Sequence, residues 1–212
     1  MNHGTSRAVV LGAGLQGVCA ALALRQAGWT VDLVDRAAEP LLGASINGEG
    51  KVHLGLVYAN EPSRRTAALM LDGAFSFGRL LDRWAASPID WRGARSAPFH
   101  YGVLPGSLVE PGALRTHYAW VAEAVRARVS TGERYVGTCP AMVVDDLEDA
   151  NLPGVATRLL AAFRTEEVAV EMRRLRPGLI ASLAQADVTW HPGAVVDAVP
   201  EVLPALLPPR IA

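Results

Sequence analysis

The sequence predicts an α/β fold in which a parallel sheet wound with helices leads into a smaller mixed α+β segment. Three observations predict it. Residues 7–36, "RAVVLGAGLQGVCAALALRQAGWTVDLVDR", read as strand, glycine turn, helix and second strand. Two long stretches further on, 63–85 and 111–129, carry apolar residues at helical spacing, with the alternating run "FHYGVLP" between them. The chain has 212 residues, half of them hydrophobic, enough to bury a core. No apolar run approaches the roughly 18 residues of a membrane span.

Taken in order, Val9, Val10 and Leu11 form a short β-branched and apolar run, the pattern of a parallel strand covered on both faces. The helix after it ends at Gly28, a natural position for a left-handed C-terminal residue. In "WTVDLVD", Val31, Leu33 and Asp35 share one face and Asp32 takes the other. A glycine-rich connection follows, "GASINGEGKVHLGLVY" at 43–58. Ala67, Leu71, Ala74, Leu81 and Trp84 then mark a helix with Ser63 as its expected N-cap, while Gly73 and Gly78 argue against one straight rod. Residues 87–98 read as loop, 99–103 as a strand and 111–129 as a helix. "TCPAMVVDD" reads as a strand. Residues 165–185 read as a helix with Glu166 and Glu167 in its first turn, and Pro177 breaking it or opening a second helix. "VTWHPGAVVDAV" holds two short strand candidates, and the tail carries Pro200, Pro204, Pro208 and Pro209.

The first unit contains a dinucleotide fingerprint. Gly12, Gly14 and Gly17 form G-x-G-x-x-G, with Leu15 and Gln16 opening the helix, and Asp35 followed by Arg36 ends the next strand. Gly12 permits the tight turn, Gly14 lets backbone approach a pyrophosphate, and Gly17 lets helix and strand pack closely. The helix N-terminus offers free N–H groups and partial positive charge to the phosphates. A carboxylate at the end of the second strand accepts hydrogen bonds from an adenosine ribose and repels the 2′-phosphate of NADP. This is a Rossmann-type signature.

From residue 7 to about 85 the sequence resembles the FAD-dependent oxidoreductases of the D-amino acid oxidase superfamily, which includes glycine and sarcosine oxidases and L-2-hydroxyglutarate oxidases. The resemblance rests on the fingerprint and on "ASINGEGKVHLGLVY", where Gly50, His53, Gly55 and Tyr58 form the hydroxyglutarate-oxidase style of Gly-x-x-His-x-Gly run before a helix. It implies FAD as cofactor, with Ser45, Asn47, Gly48, Gly50 and His53 beside the flavin. Asn47 stands two residues after Ser45, where those relatives hold Asn three after the Ser or directly before Ser-Gly. Lys51 and His53 are sources of positive charge for the flavin N1–C2 carbonyl. The implied reaction is hydride removal from the α-carbon of a small amino or 2-hydroxy acid, and no catalytic residue is singled out. The resemblance also implies residues 1–90 as the first part of an FAD domain, 91–186 as a partial substrate domain, and 187–212 as the start of a return to the FAD domain. Members of this superfamily return late in the chain with a second glycine-rich segment. None is found here, so the expectation is a truncated domain with an open sheet edge, prone to self-association.

Composition narrows the alternatives. Net charge is −1, with no basic surplus for nucleic acid. Cys19 and Cys139 have no C-x-x-C context and no metal-ligand spacing stands out, so no metal site is expected, and the cysteine usage fits a reducing cytoplasm. Arg64 and Arg65 read as a solvated helix start, and Tyr101 rather than His100 as the inward residue of its strand. Two other readings stay open: an NAD-linked dehydrogenase on the same first unit, and a non-catalytic nucleotide-binding or interaction module.

Overall fold

The computed structural model describes residues 6–141, 144–147 and 158–198. Along the chain run β1 (Arg7–Leu11), α1 (Leu15–Gln26), β2 (Thr30–Val34), the one-turn α2 (Ala44–Asn47), β3 (Lys51–Val52) and α3 (Arg65–Trp84). Then come α4 (Trp91–Ala94), β4 (His100–Val103), α5 (Pro111–Ser130), β5 (Val144–Leu147), β6 (Ala161–Thr165), β7 (Val168–Ala169), α6 (Met172–Gln185) and β8 (Thr189–His191). The α/β class expected from the sequence is the one observed.

Three sheets divide the strands among the described residues. The first is parallel, in the order β1-β2-β8, with Val10 opposite Leu33 and Leu33 opposite Trp190. The second is the antiparallel ribbon β3-β7. The third is antiparallel, in the order β4-β6-β5. Helix α6 packs against α1, α2 and α4, and so ties the parallel sheet to the chain around the glycine-rich segment. The core runs continuously from Val18, Val31 and Leu33 through Leu54, Leu56, Phe75 and Leu81 to Tyr135, Phe163 and Leu179.

As the central strand, β2 buries Val31, Asp32 and Leu33 alike. Asp32 is tolerated there because Arg7 Nε donates to it at 2.8 Å and His191 Nε2 meets it at 2.7 Å. These partners, Arg7 before His191, hold its carboxyl down to about 2.

Several expectations are corrected. Strand β1 is not covered on both faces: it lies at the sheet edge, with Val9 57% and Leu11 51% exposed. The 65–84 helix is unbroken, and Gly78 serves close packing, since a Cβ there would lie 3.3 Å from the Val136 Cα. Ser63 is not its N-cap. That position is Arg64, in the left-handed region at φ 58°, and Glu61 accepts the Thr66 N–H at 2.9 Å. The 87–98 loop contains the single turn α4, capped by Asp90, which accepts the Gly93 N–H. Residues 165–169 are strand and turn rather than helix, and α6 begins at Met172 and runs through Pro177. Residues 188–198 contain one strand, because 194–198 pair with no neighbour as a strand. Of the 138–146 strand candidate, residues 144–146 lie in β5, whereas 138–141 are not strand and Thr138 makes only an isolated bridge to Tyr135. Residues 142–143 and the prolines of the tail fall outside the described residues.

Candidate functional site

The site is built around the turn between β1 and α1. The chain reverses at Gly12, whose φ of 95° disfavours any residue with a Cβ, and the Gly12 N–H is held by the Val34 carbonyl at 2.8 Å. Gly14 is the extended N-cap of α1 and lends no side-chain cap. Instead the Leu15 N–H donates to Ser45 Oγ at 2.9 Å, so the glycine-rich segment docks on the helix start. A Cβ on Gly17 would stand 1.8 Å from the Gly12 carbonyl oxygen, and contact this close is what lets α1 lie directly on the turn. The space in front of the turn is clear: a Cβ at Gly12 would meet nothing within 4 Å, and one at Gly14 only Ser45 Oγ at 3.5 Å. Side chains there would fill the room that the bare backbone leaves. Gln16 is exposed on the first turn.

Asp35 stands just past β2. Its Oδ2 accepts the Ala13 N–H at 2.6 Å and its Oδ1 the Ala37 N–H at 2.8 Å. The Ala37 bond, then the Ala13 bond, hold this carboxyl below the usual carboxylate range. The ion keeps a spare lone pair on each oxygen. Residues after β8 close the other side: the Asp35 N–H bonds the His191 carbonyl at 3.2 Å and the Ala194 N–H bonds the Asp35 carbonyl at 3.1 Å. Between them opens a crevice of about 270 Å³, lined by Gly12, Asp35, Arg36, Ala194, Val195 and Val196 among others. The structure thus brings Gly12, Gly14, Leu15, Gln16, Gly17, Asp35, Arg36 and Ser45 together. It adds Ala194–Val196, which the sequence reading had placed in a second strand; their signal was the alternating "AVVDAV" after the last strand.

The rest of the glycine-rich segment leads away along the β3-β7 ribbon. Asn47 Nδ2 donates to the Gly43 carbonyl at 3.1 Å and the Gly48 N–H to Ala44, closing the turn α2. Gly50 has its own backbone reason: φ is 66°, and a Cβ would lie 2.1 Å from the Val170 carbonyl oxygen. Gly48 and Glu49 line a groove of about 310 Å³ with Arg95, Glu171 and Arg173. Lys51 pairs with Glu49 at 2.6 Å and lies over the Phe99 ring. His53 Nδ1 meets Glu167 Oε1 at 3.0 Å.

Glu167 is the residue the sequence reading misplaced. It is fully buried and also accepts the Leu54 N–H at 2.7 Å and the Tyr101 hydroxyl at 2.5 Å. Burial first, and Glu167 second, push the Tyr101 phenol well up, so it stays a donor. Tyr101 is inward and His100 exposed, as expected. His117 Nε2 meets the Gly55 carbonyl at 3.0 Å, and Arg64, expected to be solvated, lies over the Trp120 ring. Among the described residues no cluster of ligating side chains could hold a metal ion, and no helix is long and apolar enough to cross a membrane.

Comparison with known proteins gives a consistent picture. The family model described as "DAO: FAD dependent oxidoreductase" matches residues 7–204. The tRNA 5-methylaminomethyl-2-thiouridine biosynthesis bifunctional protein MnmC of Methylibium petroleiphilum is 32% identical over 152 residues, 70% of this chain and 20% of that protein. Glycine oxidase from Geobacillus kaustophilus superposes with a TM-score of 0.57 at 18% identity, covering 89% of this chain and 47% of that one. Iminodiacetate oxidase from Chelativorans sp. BNC1 gives 0.55 at 19%, covering 87% and 46%. The two structures share the fold, and the chain spans less than half the length of each of these relatives.

Proposed function

Because the chain belongs to the DAO family of FAD-dependent oxidoreductases, we propose that it holds the adenosine diphosphate half of FAD at the Gly12–Gly17 turn and lays the Gly48–His53 segment along the flavin. The family's cofactor is FAD, which supplies the hydride-accepting ring when bound. The observation that carries the reading is the open turn itself, bare of side chains, set at the N-terminus of α1 and flanked by the Asp35 carboxylate. The first-turn N–H groups of α1 and the partial positive end of the helix receive the pyrophosphate. The free lone pairs of Asp35 take the ribose hydroxyls, Arg36 stands at the mouth of the crevice, and the Ala194–Val196 backbone walls the adenine. Ser45, Asn47, Gly48 and Gly50 carry the chain from the pyrophosphate toward the ring.

The substrate in this reading is a small amino acid or 2-hydroxy acid, oxidised at its α-carbon. The names of the two oxidases favour an amine-bearing acid, since glycine and iminodiacetate both carry nitrogen on the reacting carbon. A second copy of the chain is the proposed partner, through the edge of β1 that no strand covers among the described residues.

Titration of the purified chain with FAD, followed by absorbance and flavin fluorescence, tests the cofactor site. Saturable binding that NAD does not displace, weakened tenfold or more by Gly14→Val, is expected. Absence of FAD binding, or equal affinity for NAD, overturns the reading. Anaerobic mixing with glycine or a 2-hydroxy acid then tests turnover: bleaching of the flavin band supports an oxidase, and tight FAD binding without bleaching favours the nucleotide-binding module.

A further inference from the structure

We propose that Glu167 is a positioning residue: its carboxylate fixes the orientation and tautomer of His53, so that His53 Nε2 is the atom this segment presents to the flavin. The inference rests on the reading above, in which the Gly48–His53 segment lies along the ring.

The β3-β7 register sets the geometry. Val52 pairs with Val168, so His53 and Glu167 stand opposite each other one step beyond the last paired residues. The Glu167 backbone is pinned on both sides, its N–H to Thr165 Oγ1 at 3.2 Å and its carbonyl to the Phe99 N–H at 2.8 Å. Next to it the Tyr135 hydroxyl accepts the Val168 N–H at 3.0 Å and donates to the Val52 carbonyl at 2.5 Å. The ribbon is therefore locked immediately before both residues.

An ionised carboxylate only accepts. The Leu54 N–H occupies Oε2, and the Tyr101 hydroxyl shares Oε1 with the imidazole. With Glu167 as the acceptor in this proposal, His53 Nδ1 carries its hydrogen toward it and Nε2 is left as the uncommitted ring atom. Glu167 is fully buried, whereas the His53 side chain is 26% exposed, so the pair runs from the interior outward. The Tyr58 ring stands edge-on to the imidazole at 6.0 Å. The other ionisable groups around the imidazole are Glu49 and Lys51, which pair with each other, and Tyr101; Tyr118 and Tyr135 act on Glu167 and Tyr101. Fixing a histidine through its far nitrogen by a buried carboxylate leaves the near nitrogen aligned for a partner.

The test uses the full chain with histidine labelled with nitrogen-15, free FAD as the probe, and the variants Glu167→Gln, Glu167→Asp, Tyr101→Phe and His53→Ala. Long-range nitrogen–proton spectra of the unliganded wild type should show Nδ1 protonated in His53, and FAD should shift Nε2. In Glu167→Gln the tautomer preference should collapse to that of a free imidazole. The bound-FAD absorbance should differ from wild type in Glu167→Gln, as in His53→Ala, while Tyr101→Phe keeps both the tautomer and the wild-type spectrum. If Glu167→Gln does not fold, Glu167→Asp retains the charge at a longer reach and should show an intermediate tautomer ratio. A fixed tautomer in Glu167→Gln, or an unchanged FAD spectrum in both Glu167→Gln and His53→Ala when wild type binds FAD, overturns the proposal and leaves the cofactor reading standing. A wild type that binds no FAD, with Nδ1 still protonated, overturns both.

Discussion

Gly17 decides with one methyl group whether the nucleotide turn can form. The atom it would strike is the backbone carbonyl of Gly12, 1.8 Å away, and backbone cannot swing aside as a flexible side chain can. Gly17→Ala is therefore expected to cost about 1–3 kcal/mol, the range of overpacking, and to abolish FAD binding. A thermal melt with and without FAD checks both. Asp32 supplies a second prediction at this scale. Its carboxyl is held down to about 2 by Arg7 and His191, below the unfolded value of about 3.9. A depressed pKa contributes stability that is complete above the unfolded value and is lost as pH falls from there through about 2. The wild-type melting temperature should drop steeply between about pH 4 and pH 2. In Asp32→Asn it should start lower and lose this part of the slope.

At the scale of elements, Gly50 governs the ribbon that presents His53. With φ at 66° and Val170 2.1 Å from any Cβ, Gly50→Ala should part β3 from β7. A loss of roughly 1–3 kcal/mol in stability is expected, together with loss of the Nδ1 proton signal of His53, read by calorimetry and by the nitrogen spectra. The elements legible in the sequence were those whose signal is local. Helices α3 and α5 have their turns written in consecutive residues, and the β1-turn-α1-β2 unit is a short motif with a mechanical reason at each glycine. Where structure depends on a distant partner the reading failed. Glu166 and Glu167 looked like the acidic first turn of a helix because "AAFRT" carries no period-two pattern. Its strand character comes from β4 and β5 on either side, and the buried place of Glu167 from His53 and Leu54, more than 100 residues away. Ala194–Val196 were missed as site residues for the same reason, since only the arrival of β8 beside β2 brings them to Gly12 and Asp35.

For the whole molecule the open edge of β1 dominates. Val9 and Leu11 are exposed on a strand that has no partner on its outer side among the described residues. Such an edge offers unpaired backbone groups and apolar side chains to another chain. Light scattering should therefore show a concentration-dependent rise in mass, and Val9→Lys should lower it without changing the melting temperature by more than a few degrees. A mass that stays monomeric at every concentration removes this surface from consideration. The sheet order was only partly legible: the β1-β2 pair follows from the βαβ motif, but β8 as the second neighbour of β2 does not.

That second neighbour gives Asp32 another meaning. Its carboxylate is met by a histidine 159 positions later, across the junction of two strands. A slip of β8 by one residue would turn His191 to the opposite face and leave the carboxylate with Arg7 alone. The pair therefore proofreads alignment: only the correctly seated strand discharges the debt of a buried ion, and misaligned sheets pay it. It also sets a timetable, because Asp32 emerges from synthesis 159 residues before His191, and its carboxylate must wait for a long-range pairing to supply that partner.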